Sequence, residues 1–167
     1  VSSDSLGGRA IARALSDQAY NSVQDYERVA MMVGDQEVFQ SFKAPVRSSF
    51  EEFGGTVTTA MDIRTGKASY TSEVEQMMQS DPEICVLIAS VEDSVKITEA
   101  GFQANYEGNW FATQDQTNQD FLSQSENAVT EGMLGLNAAA YQPAQESGRL
   151  EDFFGRITEY AGWDDPR

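Results

Sequence analysis

Residues 84–89 read Ile-Cys-Val-Leu-Ile-Ala, six apolar side chains in a row with no polar face to turn toward water. A strand of that composition is covered on both faces, the situation of a parallel sheet with helices above and below it. The rest of the chain can be laid around this run. Residues 28–33, 56–63, 109–113 and 132–136 read as four more strands. Apolar side chains recur at helical spacing in the segments between. The stripes are Leu6, Ala10, Ile11, Ala14, Leu15 and Ala19; then Val38, Phe39, Phe42, Val46, Phe50 and Phe53; then Tyr70, Val74, Met77 and Met78. Val91, Val95, Thr98 and Phe102 follow, then Phe121 and Leu122, and finally Leu150, Phe153, Phe154, Ile157 and Tyr160. Asp4 is placed to cap the first helix, Gly54-Gly55 stop the second and Asp81-Pro82 the third. Pro45 has to lie in the first turns of its helix or bend it. Strands alternating with helices over short connections predict an α/β domain: a doubly wound, mostly parallel five-stranded sheet with helices on both faces.

Charge removes several functions before any motif is considered. The 167 residues carry 27 acids against 11 bases, a formal charge of −16, and contain no histidine. That balance argues against nucleic acid, whose phosphates are met by clustered Lys and Arg, and against an anionic membrane surface. Without imidazole there is no Ser-His-Asp triad and no His-ligated metal. Lysine occurs only at Lys43, Lys67 and Lys96, beside eight arginines, and the acids are spread along the whole chain. Dispersed acids with scarce lysine fit adaptation to molar salt, where the Debye length falls to about 3 Å and carboxylates no longer repel at range. An ordinary acidic protein with a solvated surface is the other reading. The lone Cys85 sits inside the apolar run and reads as a small hydrophobe.

In an open α/β sheet, ligands bind outside the carboxyl ends of the strands. Those ends lead into Gly34-Asp35-Gln36-Glu37, Arg64-Thr65-Gly66, Ser90-Val91-Glu92-Asp93 and Thr113-Gln114-Asp115-Gln116-Thr117. All four are polar and three carry carboxylates, a rim suited to a ligand that offers ammonium or hydroxyl donors. Asp35, Glu92 and Asp93 equally fit first-turn capping roles. Asp115 differs in being surrounded by Gln114, Gln116, Thr117 and Asn118. The pairs Asp35/Glu37 and Glu92/Asp93 are no more than chance would supply, so no metal site is assigned.

Enzyme signatures are missing. There is no P-loop and no Gly-x-Ser-x-Gly elbow, and Gly7-Gly8 lies inside the predicted first helix rather than between strand and helix. A response-regulator receiver shares the architecture but needs an aspartate at the end of the third strand, where Ser90 follows Ala89.

Several segments together resemble a known family. They are Tyr26-Glu27-Arg28-Val29-Ala30-Met31-Met32-Val33-Gly34-Asp35, Gln40-Ser41-Phe42, and Phe50-Glu51-Glu52-Phe53-Gly54-Gly55-Thr56-Val57. Tyr70-Thr71-Ser72-Glu73-Val74, Ser80-Asp81-Pro82-Glu83 and Trp110-Phe111-Ala112-Thr113 follow, with Asp115 two residues on. Their order and spacing resemble the second lobe of ABC-transporter solute-binding proteins of the branched-chain amino-acid receptor group, a type I periplasmic-binding-protein fold. Such proteins hold a small solute between two hinged lobes. The resemblance implies that residues 1–137 are the second ligand-binding lobe, and that 138–167 form a hinge return and a helix at the start of the other lobe's segment. It implies that Asp115 meets a ligand ammonium, and that Ser90, Val91 and Glu92 line the cleft. Gln114, Gln116 and Ser90 are expected to add hydrogen bonds. Many relatives carry a Tyr-Gly pair after the first strand, the Tyr touching ligand; here Val38-Phe39 stand there, which leaves the solute open.

The expected partners are therefore a small solute, an amino acid first, and the membrane permease of an ABC importer. No cofactor, metal, catalysis or nucleic acid is implied. The location implied is extracellular or periplasmic, with any signal or membrane anchor in sequence outside this chain. A ligand-sensing ectodomain of a signalling receptor with the same fold is the alternative. An α/β enzyme working with carboxylates alone is a third reading, with no motif behind it.

Overall fold

The apolar runs form two cores, one on each side of a five-stranded sheet. The computed structural model describes residues 3–18, 24–113, 116–117, 119–125 and 132–136, all within the unit Val1–Leu136. Its strands are β1 (Arg28–Gly34), β2 (Thr56–Ile63), β3 (Ile84–Ile88), β4 (Asn109–Ala112) and β5 (Leu134–Gly135). Its helices are α1 (Ser3–Ser16), α2 (Glu37–Glu52), α3 (Thr71–Met78), α4 (Val91–Gln103) and α5 (Gln119–Gln124). The strands lie in the order β2-β1-β3-β4-β5, and every pairing is parallel. This is the predicted doubly wound α/β sheet.

Two-sided burial follows from the strand period of two. In β1, Val29, Met31 and Val33 join one core while Ala30 and Met32 join the other. In β3, Ile84, Val86 and Ile88 face the first core, and Cys85 and Leu87 the second. The first face is covered by α1 and α2 through Ile11, Ala12, Leu15, Val46 and Phe50. The second is covered by α3 and α4 through Val74, Met77, Ile97 and Ala100. Each fully buried Val, Leu, Ile or Met side chain contributes about 1.5–3 kcal/mol, so this central pair of strands anchors the domain.

Most positions of the helical stripes face the cores as predicted, Ile11, Leu15, Val46, Phe50, Val74 and Met77 among them, and single positions depart. Leu6 is 61% exposed and Ala10 is also outside; the buried face of α1 runs through Gly8, Ile11, Ala12 and Leu15. Gly8 lies against Pro45, where an added Cβ would come within 2.5 Å of the proline Cβ. Small residues, not large ones, set this contact. Pro45 sits in the middle of α2, which excludes the first-turn branch of the expectation. Phe102 is 56% exposed, while Val95 and Thr98 of the same stripe are buried as predicted and are joined by Ser94, Ile97 and Gly101, with Gly101 against Trp110. Asp4 lies within α1 rather than before it. Gly54, at φ +92°, closes α2 as predicted, in a conformation that only glycine adopts without strain. The strand predicted over 132–136 is reduced to Leu134–Gly135. Ala19, the final helix read at 150–160 and the hinge return at 138–167 lie outside the described residues. Among the described residues no helix is long and apolar enough to cross a membrane.

Candidate functional site

Sheet register decides where a site can be built. Gly34 of β1 pairs with Ile63 of β2, Val33 with Ile88 of β3, and Leu87 with Ala112 of β4. The carboxyl ends of four strands are thus level, and the loops that follow them share one rim. The strand order reverses between β1 and β3, with the helix after β1 on one face and the helix after β3 on the other. That reversal is the topological switch point, where open α/β sheets leave a crevice.

The loops on this rim are tied to one another. Asp35, just after β1, accepts from the Thr65 hydroxyl at 2.6 Å and the Thr65 N–H at 3.1 Å, joining the first loop to the second. These two bonds, the hydroxyl first, hold the Asp35 carboxyl below the usual carboxylate range. Asp93 in the first turn of α4 is 2% exposed, and it accepts from Gly66 N–H at 3.0 Å and Tyr70 O–H at 2.6 Å. Burial first, and the bond to Asp93 second, push the Tyr70 hydroxyl up. Lys96 Nζ donates to the Lys67 carbonyl at 3.1 Å and pairs with Glu92 at 2.9 Å. Three successive residues, Thr65, Gly66 and Lys67, are therefore each held by a side chain from another element.

The predicted site residues take distinct places. Ser90 is the N-cap of α4: its Oγ accepts Asp93 N–H at 3.2 Å and donates to Asp93 Oδ2 at 2.9 Å. Its one hydroxyl proton is engaged with Asp93. Val91 is half-buried, and Glu92 projects into solvent beside Lys96. Val38, in the first turn of α2, is 60% exposed on the same rim, an unusual position for an aliphatic side chain in so acidic a chain. Gln116 is 2% exposed, with its Oε1 accepting from Thr113 N–H at 3.0 Å and Thr113 O–H at 2.8 Å and its amide donating to Ala89 O. It clamps the end of β4 to the end of β3, a different task from the ligand hydrogen bond expected of it. Gln114 and Asp115 lie outside the described residues; their neighbours Thr113 and Gln116 are pinned to each other on either side.

Sequence reasoning took Tyr70 for a member of a helical stripe and missed its bond to Asp93. The sequence leaves Asp93 either a rim carboxylate or a first-turn cap, with the Ser90-x-x-Asp93 spacing of a capping box as the available signal of its link to Ser90. Cys85 is fully buried, and burial pushes its thiol up, so it is no nucleophile. Among the described residues no group of acids and cysteine is placed to hold a metal ion.

On this rim Glu37, Val38 and Arg64 are exposed, and Lys67 and Lys96 are engaged with Glu73 and Glu92.

Comparison with known proteins agrees with this geometry. A family profile described as periplasmic binding protein matches residues 5–167. A leucine-binding protein of Thermotoga maritima is 18% identical with a TM-score of 0.72, over 98% of this chain and 44% of that one. An extracellular ligand-binding receptor of Rhodopseudomonas palustris is 15% identical with a TM-score of 0.69, over 78% of this chain and 34% of that one. A solute-binding protein of R. palustris solved with benzoate is 14% identical with a TM-score of 0.68, over 89% and 41% respectively. At these identities the structural likeness speaks to fold, and this chain spans less than half the length of each of these proteins. A search of curated proteins finds no match.

Proposed function

This chain belongs to the periplasmic binding protein family, and we propose that its residues 1–137 are the second ligand-binding lobe of an extracellular or periplasmic solute-binding protein. That protein delivers an amino acid or related small solute to the permease of an ABC importer. Residues 138–167 then return through the hinge and begin a segment of the other lobe. The observation that supports this reading is the level, cross-tied rim of loops at the switch point.

In the proposed mechanism the solute is enclosed when the two lobes close. Asp115 neutralises its ammonium, and Gln114 adds a hydrogen bond. Val38 and Val91 meet its apolar part, while Ser90 and Glu92 line the edge. Gln116 contributes by fixing the chain on the far side of Gln114 and Asp115. A carboxylate–ammonium pair shielded from water by closure is stronger than the same pair in the open. The solute carboxylate is held by the other lobe, so this lobe alone binds weakly.

A thermal-shift screen of the full-length protein against the twenty amino acids and benzoate tests this reading. At least one compound is expected to raise the unfolding temperature by several degrees, and to do so far less for residues 1–137 alone. A full-length protein unmoved by every compound would contradict the proposal.

A further inference from the structure

Asp93 is a buried carboxylate whose bonding differs from that of a helix cap. In a capping box the third-position acid reaches back to the N-cap N–H. Here Asp93 instead accepts the Ser90 hydroxyl at 2.9 Å and reaches across to Gly66 N–H at 3.0 Å and Tyr70 O–H at 2.6 Å. At 2% exposure it has no Lys or Arg partner among the described ion pairs. A carboxylate buried without a counter-ion is expensive and has to be compensated by its hydrogen bonds. For capping alone, Ser90 would suffice.

The three donors come from three places: the loop after β2, the N-cap of α3 and the N-cap of α4. Asp35 holds the same β2 loop from the β1 side through Thr65, at 2.6 and 3.1 Å, and Lys96 holds it through the Lys67 carbonyl at 3.1 Å. The geometry points to Asp93 as a positioning residue: it locks the β2 loop and the Ser90–Val91 turn into one preformed half-site before any solute arrives. This rests on the proposed solute-binding function for its consequence and on the hydrogen bonds alone for its structure. Preorganisation of this kind raises affinity by lowering the ordering cost of binding.

Two readouts on the full-length protein separate these layers. Amide hydrogen exchange in the absence of solute reads the lock directly. Asp93→Asn keeps the shape but loses an acceptor and the charge, and it is expected to speed exchange at residues 64–67 and 90–92 at least tenfold, with β1 and β3 unchanged. Tyr70→Phe is expected to do the same more weakly, and Ser90→Thr, which keeps the hydroxyl, to preserve protection that Ser90→Ala loses. Unchanged exchange in these loops in both Asp93→Asn and Tyr70→Phe would overturn the inference. Calorimetry with L-leucine and benzoate reads the consequence: about tenfold weaker binding in Asp93→Asn for whichever probe the parent binds. Equal affinity beside loosened loops would also overturn the positioning role. A parent that binds neither probe counts against the solute reading and leaves exchange to decide the lock.

Discussion

At the scale of single residues, the acids of this chain divide by what they touch. Asp35 is exposed yet accepts two bonds from Thr65, which lower its pKa relative to an ordinary aspartate. A carboxylate depressed in the folded state stabilises the fold above its unfolded pKa, near about 4, and that contribution is lost as pH falls through the folded value. Thr65→Val removes the hydroxyl donor and keeps the shape. It is expected to move the Asp35 titration upward toward the usual range, seen in carboxylate NMR shifts; an unmoved titration would show that the Thr65 hydroxyl is not its partner in solution. Asp62, held low by Lys43 and then Gln40, belongs to the same acid-sensitive group. Glu92, pointing into solvent beside Lys96, gains little from its pair, since exposed ion pairs contribute at most about 1 kcal/mol.

At the scale of elements, the strands were legible and so were most helix faces, since Ile11 and Leu15, Val46 and Phe50, and Val74 and Met77 are all buried; single positions were not. The run at 84–89 has only one stable environment, so the sheet could be read from it. A helix face depends on what it meets, and α1 meets Pro45 and Val46 of α2 at a distance that excludes side chains: a Cβ on Gly8 would lie 2.5 Å from Pro45 Cβ and 2.8 Å from its backbone carbon. Leu6 is then left outside, and on α4 the close approach of Gly101 to Trp110 accompanies an exposed Phe102. The same logic hid the site. Tyr70 and Asp93 are far apart in sequence, and only the sheet order brings them within 2.6 Å. Gly7 and Gly8 give a direct test. Alanine favours a helix over glycine by about 1 kcal/mol, while overpacking costs about 1–3 kcal/mol. Gly8→Ala strikes backbone and is expected to lower the urea midpoint. Gly7→Ala meets only the ring of Phe42, at 2.9 Å, which is half-buried and able to turn, and is expected to be near neutral. Equal effects at both positions would contradict the close α1–α2 contact.

At the scale of the whole molecule, two forces are both screened by salt, with opposite effects on stability. Ion pairs such as Arg9–Glu52 and Lys43–Asp62 weaken as salt rises, but they are few and mostly exposed. Self-repulsion from a net charge of −16 weakens too, and it acts over the whole surface. All three lysines are half-buried and paired, with Asp62, Glu73 and Glu92, so none serves as a free surface cation. This pattern supports the proposed adaptation to high salt. The thermal midpoint is expected to rise between about 0.1 and about 2 M KCl as the Debye length shrinks from about 10 Å to below 3 Å. A flat or falling midpoint would remove salt adaptation from the account.

The most direct test of the proposed function is calorimetric titration of the full-length protein, with and without Asp115→Ala, using the amino acid that gives the largest thermal shift. The account expects saturable binding of one solute per molecule in the parent and a loss of at least tenfold in Asp115→Ala. Undiminished affinity in the variant would take Asp115 out of the site, and no binding by the parent would contradict the solute-binding reading itself.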